Sequence, residues 1–346
     1  MKKLFFIAAL AGAALVSCTK NEVAPSVQQD EITFLAPVVG AQTKVNGLIG
    51  STYNTGESFD VWCVHNAGDI TEWGGAVYFS NVKATYDGTS TGWILSPKYY
   101  WPATGKLSFV AMSPSIDKAT SYDNTNGFQI TDAWMQGNDE TKIVDLMYSD
   151  ESLNNAKADY NLDGEEKTGD ANTYKGVDIK FNHALSYLTF KVKSAADYTT
   201  TTKFKLNKIT LSGVYTAGTF NQKAADPWTE DTSGEKGTYI AYNNASGLEF
   251  DYSLAVDAPA QEGKEIILLP QALTASQQKI TVNYQISTDN GTSWINQEQV
   301  ADIKGAITSW EMGKKYIYTI TIGMNEIIFD PAVADWTAEV PGGVSF

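Results

Sequence analysis

The stretch Lys279-Ile280-Thr281-Val282-Asn283-Tyr284-Gln285-Ile286 alternates polar and apolar residues without a break. A period of two is typical of a β-strand that buries one face and exposes the other. Asp289-Asn290-Gly291 follows almost at once, and it is typical of a hairpin turn because Asn and Gly tolerate positive φ angles. We therefore predict a β-hairpin whose returning strand is Thr292–Gln297.

The same alternation recurs in Tyr316–Ile322 and in Leu188–Lys193. In the second segment, Leu188, Phe190 and Val192 fall on one face, while Thr and Lys residues fall on the other. No segment combines the helical period with capping residues over three turns or more. Many short strands, frequent turns and almost no helix predict an all-β fold made of antiparallel β-sandwiches.

The beginning of the chain has the pattern of a secretory signal peptide. After a basic start, Leu4–Val16 is an apolar run of 13 residues, which is shorter than the roughly 20 residues that span a bilayer as a helix. Leu15-Val16-Ser17-Cys18 resembles the lipobox of bacterial lipoproteins, which implies cleavage before Cys18 and acylation of that cysteine. The alternative is an ordinary signal peptide with a coincidental cysteine. We expect residues 1–17 to be the signal peptide and residues 18–30 a lipidated tether.

The charge balance argues against nucleic acid as a partner. The 346 residues carry a formal net charge of −15, and all 25 cations are lysine, since the sequence contains no arginine. The negative electrostatic field of such a chain repels phosphate backbones, and no guanidinium is present to bind bases or phosphates in a bidentate manner. We therefore expect no nucleic acid partner.

Cysteine and histidine, which often carry catalysis or bind metals, are scarce, with two of each in the chain. Apart from Cys18, the only cysteine is Cys63, which lies in the strand-like segment Phe59–Val64 and is expected to be a buried core thiol. His65 and His183 have no metal-ligand spacing, and we expect His183 to be packed and hydrogen-bonded rather than a general base. No nucleophile elbow, P-loop or dinucleotide-binding motif is present. These observations indicate a protein that is not an enzyme.

The acidic stretch 159–170 has the spacing of a calcium-binding loop. Asp159, Asn161 and Asp163 alternate before a glycine, and Asp170 occupies the twelfth position, so their oxygens could converge on one Ca²⁺ ion. Against this, a lysine occupies the ninth position, the twelfth residue is not Glu, and no amphipathic helices flank the loop. Two interpretations stay open: a calcium site that stiffens the loop, and a solvated acidic linker with no cofactor.

The length of the chain predicts about two domains, since a domain usually contains roughly 100 to 200 residues. Residues 149–175 are rich in acidic residues and poor in large apolar ones, so we interpret them as an exposed connection near the domain boundary. The prediction is an N-terminal β-sandwich over residues 31–175 and a C-terminal β-sandwich over residues 176–346.

Five segments resemble, in the same order, the sequence motifs of the fimbrillin family of Bacteroidetes. They are YYWPATGKLSFVAMSP at Tyr99–Pro114, VDLMY at Val144–Tyr148, VDIKFNHALS at Val177–Ser186, WEMGKKYIY at Trp310–Tyr318, and the closing segment Ile327–Trp336. Each match alone is weak, but five matches in order behind a lipobox are specific. The resemblance extends from about Phe34 to Trp336.

This resemblance implies a structural and adhesive subunit of a type V pilus, built from two tandem transthyretin-like antiparallel β-sandwich domains and without enzymatic activity. It also implies an outer-membrane lipoprotein at the cell surface, whose partners are other fimbrial subunits, the membrane and a ligand on a host or bacterial surface. In that family, a trypsin-like protease removes the N-terminal strand, and the vacated groove accepts a C-terminal strand from the next subunit. Such a groove binds a strand through backbone hydrogen bonds and apolar pockets.

In this sequence, the segment to be removed corresponds to Glu31–Pro37 and the donor segment to Glu326–Phe346. The donor side chains expected to fill pockets are Ile328, Val333, Trp336, Val340 and Val344. The alternative is that both segments are simply terminal strands of a monomeric sandwich.

Two features leave the function open between alternatives. Family members are cut after arginine, which this chain lacks, and Lys44 stands at about the corresponding place. Lys44 is therefore either the processing site of a lysine-tolerant protease or an ordinary exposed lysine of an uncleaved chain. The rival function is a monomeric, lipid-anchored glycan-binding module, in which Trp73 and Trp134, both in polar surroundings, would be exposed and stack on sugars. The alternative for these two residues is that they cap an edge of a sandwich.

Overall fold

The computed structural model describes residues 31–35, 38–39, 55–86, 88, 93–137, 143–160, 176–195, 201–250, 256–257, 266–274, 277–303, 307–323 and 327–336. Several residues singled out from the sequence lie outside the described residues: Cys18, Lys44, Asn161, Asp163, Asp170, Val340 and Val344. Their roles stay predictions.

β-Strands make up nearly all of the regular structure. The first twelve are β1 (Thr33–Phe34), β2 (Val38–Val39), β3 (Ser58–Asn66), β4 (Ala76–Tyr86), β5 (Trp93–Ser96), β6 (Lys106–Ser113), β7 (Thr120–Asp123), β8 (Gly127–Met135), β9 (Met147–Ser149), β10 (Ser152–Asn155), β11 (Lys180–His183) and β12 (Ser186–Ser194). The other twelve are β13 (Lys203–Val214), β14 (Ala217–Asn221), β15 (Trp228–Glu230), β16 (Gly237–Phe250), β17 (Val256–Asp257), β18 (Ile266–Leu268), β19 (Gln271–Ala272), β20 (Lys279–Ser287), β21 (Ile295–Asp302), β22 (Ser309–Trp310), β23 (Lys314–Ile322) and β24 (Ile327–Asp335). Within the ranges given above, the only helical element is a 3-10 turn at Lys157–Asp159, so the predicted all-β fold is confirmed. None of the described segments forms a helix long and apolar enough to cross a membrane.

The first sheet closes on itself. Its strands are hydrogen-bonded in the order β1-β5-β4-β3-β6-β9-β11-β2, and β10 pairs with β6. β1 and β2 belong to one stretch of chain, which we call the N-terminal segment (residues 31–35 and 38–39). This segment pairs with β5 on one side and with Val177 and β11 on the other. Because closing a sheet removes its free edges, the N-terminal segment is the strand that completes this sheet.

Aromatic and aliphatic side chains fill the interior of the closed sheet. β3 and β6 are buried along most of their length, as expected for central strands that are covered on both faces. The first core includes Ile32, Phe34, Phe59, Phe79, Trp93, Phe109, Val177, Ile179 and Phe181. These residues come from the N-terminal segment, from β3 to β6 and from the chain that enters β11, so this core brings together distant parts of the sequence.

Two further sheets form a sandwich in the C-terminal half, with the strand orders β17-β12-β23-β24 and β16-β13-β20-β21. The second core fills the space between them and includes Phe190, Val192, Phe204, Leu211, Ile280, Val282, Tyr318 and Ile320. The alternation predicted for β20 is confirmed, since it is buried at every second position up to Ile286. Most strand pairs are antiparallel, but β12 and β23 run parallel.

The β20–β21 hairpin has the predicted turn, but its returning strand begins later than expected. Asn290 and Gly291 have φ angles of 59° and 86°, which is the left-handed conformation that tight hairpins require. The N–H of Ser293 donates to the carboxylate of Asp289 at 2.8 Å, and this bond keeps Ser293 in the turn. β21 therefore begins at Ile295, three residues after the expected start.

Another sheet joins the two halves of the chain. Its order is β15-β14-β8-β7, so strands from before the predicted domain boundary pair with strands from beyond it. The buried amide of Gln136 adds to this junction by donating to the carbonyl groups of Val144 at 2.9 Å and Ile267 at 2.8 Å. The division into residues 31–175 and 176–346 stays a prediction, and hydrogen bonds connect the two parts.

The acidic run 149–175 departs from the expected exposed connection at its start. β10 pairs with β6, and the side-chain amide of Asn155 donates to the carbonyl of Leu107 at 3.2 Å. The ring of Tyr160 stacks on Trp101 with a centroid distance of 5.0 Å. The expectation is therefore wrong for Ser149, residues 151–156 and Tyr160, because polar side chains and one tyrosine hold this part of the run against the first sheet. Asp150 and residues 157–159 are exposed.

Candidate functional site

The N-terminal segment occupies a slot between β5 and the chain that enters β11. On the β5 side the pairing is antiparallel, and beyond it the N–H of Ile32 donates to the carbonyl of Tyr99 at 2.8 Å. Glu31 forms a bridge with Tyr100, and its carboxylate accepts a hydrogen bond from the ammonium group of Lys98 at 2.8 Å. The Lys98 side chain is 57% exposed, so this ion pair contributes little to stability.

On the other side of the slot, the segment runs parallel to its neighbour. The N–H of Val177 donates to the carbonyl of Thr33 at 2.8 Å, and the N–H of Leu35 donates to the carbonyl of Val177 at 3.0 Å. Val38–Val39 continue the parallel pairing with Lys180–Phe181. Both backbone groups of Val177 therefore bond to the N-terminal segment, and removing the segment would leave β5 and β11 as unpaired edges.

Two side chains of the segment also fill the first core. Ile32 and Phe34 are 0% and 1% exposed. The ring of Phe34 lies edge-to-face on Phe59 and on Phe109, with centroid distances of 5.6 Å in both cases. Burying one such side chain contributes about 1.5 to 3 kcal/mol, and each aromatic pair adds about 0.5 to 1.5 kcal/mol. The slot thus has the two properties of a strand-binding groove, which are backbone edges and apolar pockets.

The backbone of the segment passes very close to Gly176. A Cβ atom at this position would lie 2.8 Å from the carbonyl carbon of Phe34, 2.9 Å from the oxygen of Thr33 and 3.0 Å from the nitrogen of Leu35. Glycine within extended chain often marks a place where another backbone approaches closely. Sequence reasoning gave Gly176 no role, although its position directly before the motif that starts at Val177 is the signal that could have revealed one.

β24 is an edge strand of the C-terminal sandwich. It pairs antiparallel with β23 along its full length and is the last strand of its sheet. The ammonium group of Lys314 donates to the carboxylate of Asp335 at 2.5 Å, and both side chains are partly exposed. Ile328 and Val333, two of the predicted donor residues, are 50% and 48% exposed. Neither of these two side chains is buried in a core.

Trp336, the third described donor candidate, is buried instead. It is 5% exposed, and its ring lies flat on the imidazole of His183 with a centroid distance of 3.5 Å and an interplanar angle of 4°. It also stacks on Tyr187 at 5.3 Å, and its backbone N–H donates to the carbonyl of Gly313 at 2.8 Å. Trp336 therefore attaches the end of β24 to the turn between β11 and β12.

His183 is packed and hydrogen-bonded, and that prediction is confirmed. Its Nδ1 atom lies 2.9 Å from a carboxylate oxygen of Asp145, and both side chains are buried. Burial raises the pKa of Asp145, and the neighbouring imidazole opposes this shift. Nε2 of His183 and the second oxygen of Asp145 have no hydrogen-bond partner among the described residues. The pair fixes the plane of the imidazole on which Trp336 stacks.

The described residues with other catalytic or metal-binding chemistry do not form a cluster. Cys63 is 1% exposed, and burial raises the pKa of its thiol, so the predicted core thiol is confirmed.

Asp159 is the one described residue among the predicted calcium ligands, and its carboxylate accepts a hydrogen bond from the N–H of Ala156 at 2.8 Å. In the part of the chain that the structure describes, no three His, Cys, Asp or Glu side chains are grouped to hold a metal ion. The calcium site stays a prediction.

Neither tryptophan of the glycan-binding alternative is exposed. Trp73 is 9% exposed and lies edge-to-face on Tyr122 at 5.1 Å. Trp134 is 4% exposed and contacts Trp228 at 5.8 Å. Both belong to a third core, which contains residues from both halves of the chain. The prediction of two exposed aromatic platforms is therefore wrong, because residues distant in sequence cover both rings.

A family model described as fimbrillin-like matches residues 43–336, which is most of the chain. The chain belongs to the fimbrillin-like family. The resemblance read from the five motifs is thereby confirmed. This is a family of fimbrial and cell-adhesion subunits, so the fimbrillin-like chain is a structural subunit of that kind.

Two solved structures share the fold of this fimbrillin-like chain. A fimbrial protein from Bacteroides vulgatus ATCC 8482 is 18% identical, with a TM-score of 0.59 over 82% of this chain and 94% of that one. A candidate cell adhesion protein from Bacteroides uniformis ATCC 8492 is also 18% identical, with a TM-score of 0.53 over 90% of this chain and 100% of that one. At this identity the likeness concerns the fold alone. No curated protein matched the sequence.

Proposed function

We propose that this fimbrillin-like chain is a lipid-anchored subunit of a surface fimbria and polymerises by exchange of β-strands between subunits. Acyl chains on Cys18 hold the protein at the outer membrane. Proteolysis after Lys44 removes the N-terminal segment, and the slot then accepts a C-terminal strand from another subunit. The assembled fimbria binds a ligand on a host or bacterial surface, and the role of the subunit is structural and adhesive rather than catalytic.

The observation that carries the proposal is the double-sided pairing of the N-terminal segment. A segment that is bonded to β5 on one side and to Val177 on the other, with Ile32 and Phe34 buried, leaves a matching vacancy when it departs. Each buried backbone group that loses its partner costs about 1 to 3 kcal/mol, and the emptied pockets expose apolar surface. Both costs favour the binding of another strand in the same place.

The sequence of the C-terminal segment supports its role as the replacement. Glu326-Ile327-Ile328-Phe329 repeats the Glu-Ile-x-Phe pattern of Glu31-Ile32-Thr33-Phe34. A donor strand bound in the same register would present Ile327 and Phe329 to the pockets of Ile32 and Phe34. Because side chains of a strand alternate between its two faces, this register excludes Ile328 from the same pockets. The pattern thus gives the donor a specific register to test.

Proteolysis of the purified full chain tests whether the subunit polymerises. We expect a lysine-specific protease to produce a chain that begins at Val45, as read by mass spectrometry, and a ladder of detergent-resistant oligomers. Lys44→Gln should abolish both products, whereas Lys83→Gln, which removes an exposed lysine of β4, should leave them unchanged. Cleavage at Lys44 without any oligomers would contradict strand exchange.

A peptide of residues 326–346 tests the donor directly. Added to the protease-treated subunit, it should occupy the slot and stop the growth of oligomers. A peptide with Phe329→Ala should bind at least about tenfold more weakly, since truncating a buried Phe costs about 3 kcal/mol or more. A peptide with Ile328→Ala is the matched control, and equal weakening by both changes would contradict the proposed register.

A further inference from the structure

We infer that residues 176–187, which we call the linking run, couple the N-terminal segment to the C-terminal strand, so that loss of the first loosens the second. The inference rests on the proposed function, because it concerns what happens to β24 when the N-terminal segment leaves. In the intact chain, β24 stays paired with β23 and Trp336 stays stacked on His183 and Tyr187. In a processed chain, they detach more readily and can reach another subunit.

At its first end, the linking run depends on the N-terminal segment for its hydrogen bonds. The N–H and C=O of Val177 both bond to that segment. Val177 and Ile179 are 0% and 1% exposed and share the first core with Phe34. When the segment leaves, the two backbone groups lose their partners in an apolar environment, which is unfavourable unless the run moves.

A chain of packed aromatic rings extends this dependence along the run. Phe34 lies on Phe59, and Phe59 lies on Phe181, with centroid distances of 5.6 Å at both contacts. Phe181 is in β11, which pairs with the N-terminal segment on one side and with β9 on the other. Without the segment, β11 becomes an edge strand and Phe59 loses one ring neighbour. Closely packed cores respond to such losses by discrete rearrangement.

At its second end, the linking run supports Trp336. His183 lies two residues after Phe181 and provides the flat surface for the indole, and Tyr187 provides a second stacking surface. Asp145 fixes the orientation of His183 through the Nδ1 hydrogen bond. Among the positions from 328 to 336 whose burial is described, Trp336 is the one buried side chain. The attachment of β24 therefore depends on the position of this imidazole.

The two ends of the run are close enough for direct mechanical coupling. An extended chain rises about 3.3 Å per residue, so Val177 and His183 are separated by at most about 20 Å along one continuous stretch of chain. Coupling free energies between sites are commonly 1 to 3 kcal/mol, which corresponds to about 5- to 150-fold, and they act equally in both directions. Weakening the N-terminal segment should therefore promote opening of β24, and removing Trp336 should promote opening of the N-terminal segment.

Amide hydrogen exchange of the intact, unprocessed chain tests the first direction. Phe34→Ala is compared with Phe79→Ala, which removes a buried ring from the same core but from β4 rather than from the N-terminal segment. We expect the amides of β24 to exchange at least about fivefold faster in Phe34→Ala than in Phe79→Ala. Equal β24 rates in the two variants would overturn the inference. Phe34→Leu and Phe79→Leu provide the same comparison if the alanine variants do not fold.

The reverse direction uses the amide of Leu35, whose hydrogen bond to Val177 reports on the N-terminal segment. Trp336→Ala should speed its exchange at least about fivefold relative to Trp73→Ala, which removes a buried indole from the same third core. Equal rates of Leu35 exchange in these two variants would also overturn the inference.

These outcomes separate the inference from the proposed function. Both experiments use the monomer before proteolysis, so they do not depend on whether subunits polymerise. Coupling in a chain that never forms oligomers would contradict the proposed function alone. Oligomers formed by a chain without coupling would contradict the linking-run inference alone.

Discussion

Gly176→Ala perturbs the closest backbone contact of the N-terminal segment. The added methyl group would lie 2.8 Å from the carbonyl carbon of Phe34, whereas ordinary contacts of a Cβ atom begin at 3.4 Å. The segment must therefore move by roughly 0.6 Å. A movement of that size would stretch the Leu35 to Val177 hydrogen bond from 3.0 Å to about the 3.6 Å at which it no longer counts as a hydrogen bond.

The expected magnitude follows from these contacts. Loss of one hydrogen bond costs about 0.5 to 1.5 kcal/mol, and overpacking costs about 1 to 3 kcal/mol. The two costs together span about 1.5 to 4.5 kcal/mol, and we expect the free energy of opening the N-terminal segment in Gly176→Ala to fall by an amount near the middle of that range, about 2 to 3 kcal/mol. Since about 1.4 kcal/mol is a factor of ten, the amide of Leu35 should exchange about 30- to 150-fold faster with deuterated solvent.

Gly68→Ala is the matched control for this experiment. A Cβ atom at Gly68 would meet no atom within 4 Å, and the substitution reduces the entropy of the unfolded chain in the same way. Its Leu35 amide should exchange at the wild-type rate. If Gly176→Ala and Gly68→Ala give the same Leu35 rate, the reasoning from close approach is refuted.

Three further predictions concern the side chains of Asp145, Gln136 and Lys314, and each is measured by urea unfolding. Because burial raises the pKa of Asp145 above 3.8, the folded chain binds this proton more tightly than the unfolded chain. The contribution of Asp145 to stability therefore falls as pH rises from about 4 to the raised pKa, and Asp145→Asn should remove that fall. Gln136→Leu removes the hydrogen bonds that the side-chain amide donates to the carbonyl groups of Val144 and Ile267, and it should lower the free energy of unfolding by about 2 to 4 kcal/mol. Lys314→Gln removes an exposed ion pair with Asp335 and should change that free energy by less than about 1 kcal/mol.

Residues of the same type that lie outside the cores serve as controls, one exposed (Asp69) and one partly exposed (Gln297). Asp69→Asn, at a carboxylate that is 71% exposed, should change the free energy of unfolding by less than about 0.5 kcal/mol. An unaltered pH dependence in Asp145→Asn would contradict the assignment to the buried carboxyl group. Gln297→Leu, on the edge strand β21, should cost less than about 0.5 kcal/mol, and an equal cost for Gln136→Leu would show that its hydrogen bonds contribute little. A loss above about 2 kcal/mol in Lys314→Gln would mean that the exposed pair is more than a surface contact.

The half-buried strands are predictable because their signal is local. In β20, each residue alternates between core and solvent, so the sequence of that strand alone reports both of its faces. The turn at Asn290 and Gly291 is predictable for the same reason, since the two residues themselves adopt the required φ angles. The packed, hydrogen-bonded state of His183 is predictable from its place in a motif that the chain shares with its family.

The closure of the first sheet is not predictable in this way. Thr33–Phe34 is too short to show alternation, and its parallel partner Val177 lies about 140 residues later in the chain. The burial of Trp73 is not predictable from its sequence neighbours, which are polar, because the ring is covered by Tyr122 from a distant strand. Such features are decided by which distant apolar surfaces and backbone edges meet.

The candidate donor strand shows the same limit. The apolar pattern of β24 does not distinguish an edge strand of its own sheet from a strand donated to another subunit, because the backbone of such a strand can pair in either place. The structure places β24 beside β23 and buries Trp336, so the chain must release contacts before it can donate this strand. The strength of that attachment depends on tertiary contacts with His183 and Tyr187, which no local pattern reports.

The strand that lies between β5 and β11 in an assembled fimbria tests strand exchange most directly. A cryo-electron microscopy map of the fimbria would show which chain supplies that strand. We expect a C-terminal segment of the neighbouring subunit there, bonded to both backbone groups of Val177. A map in which residues 31–35 of the same subunit still fill the slot would contradict the account.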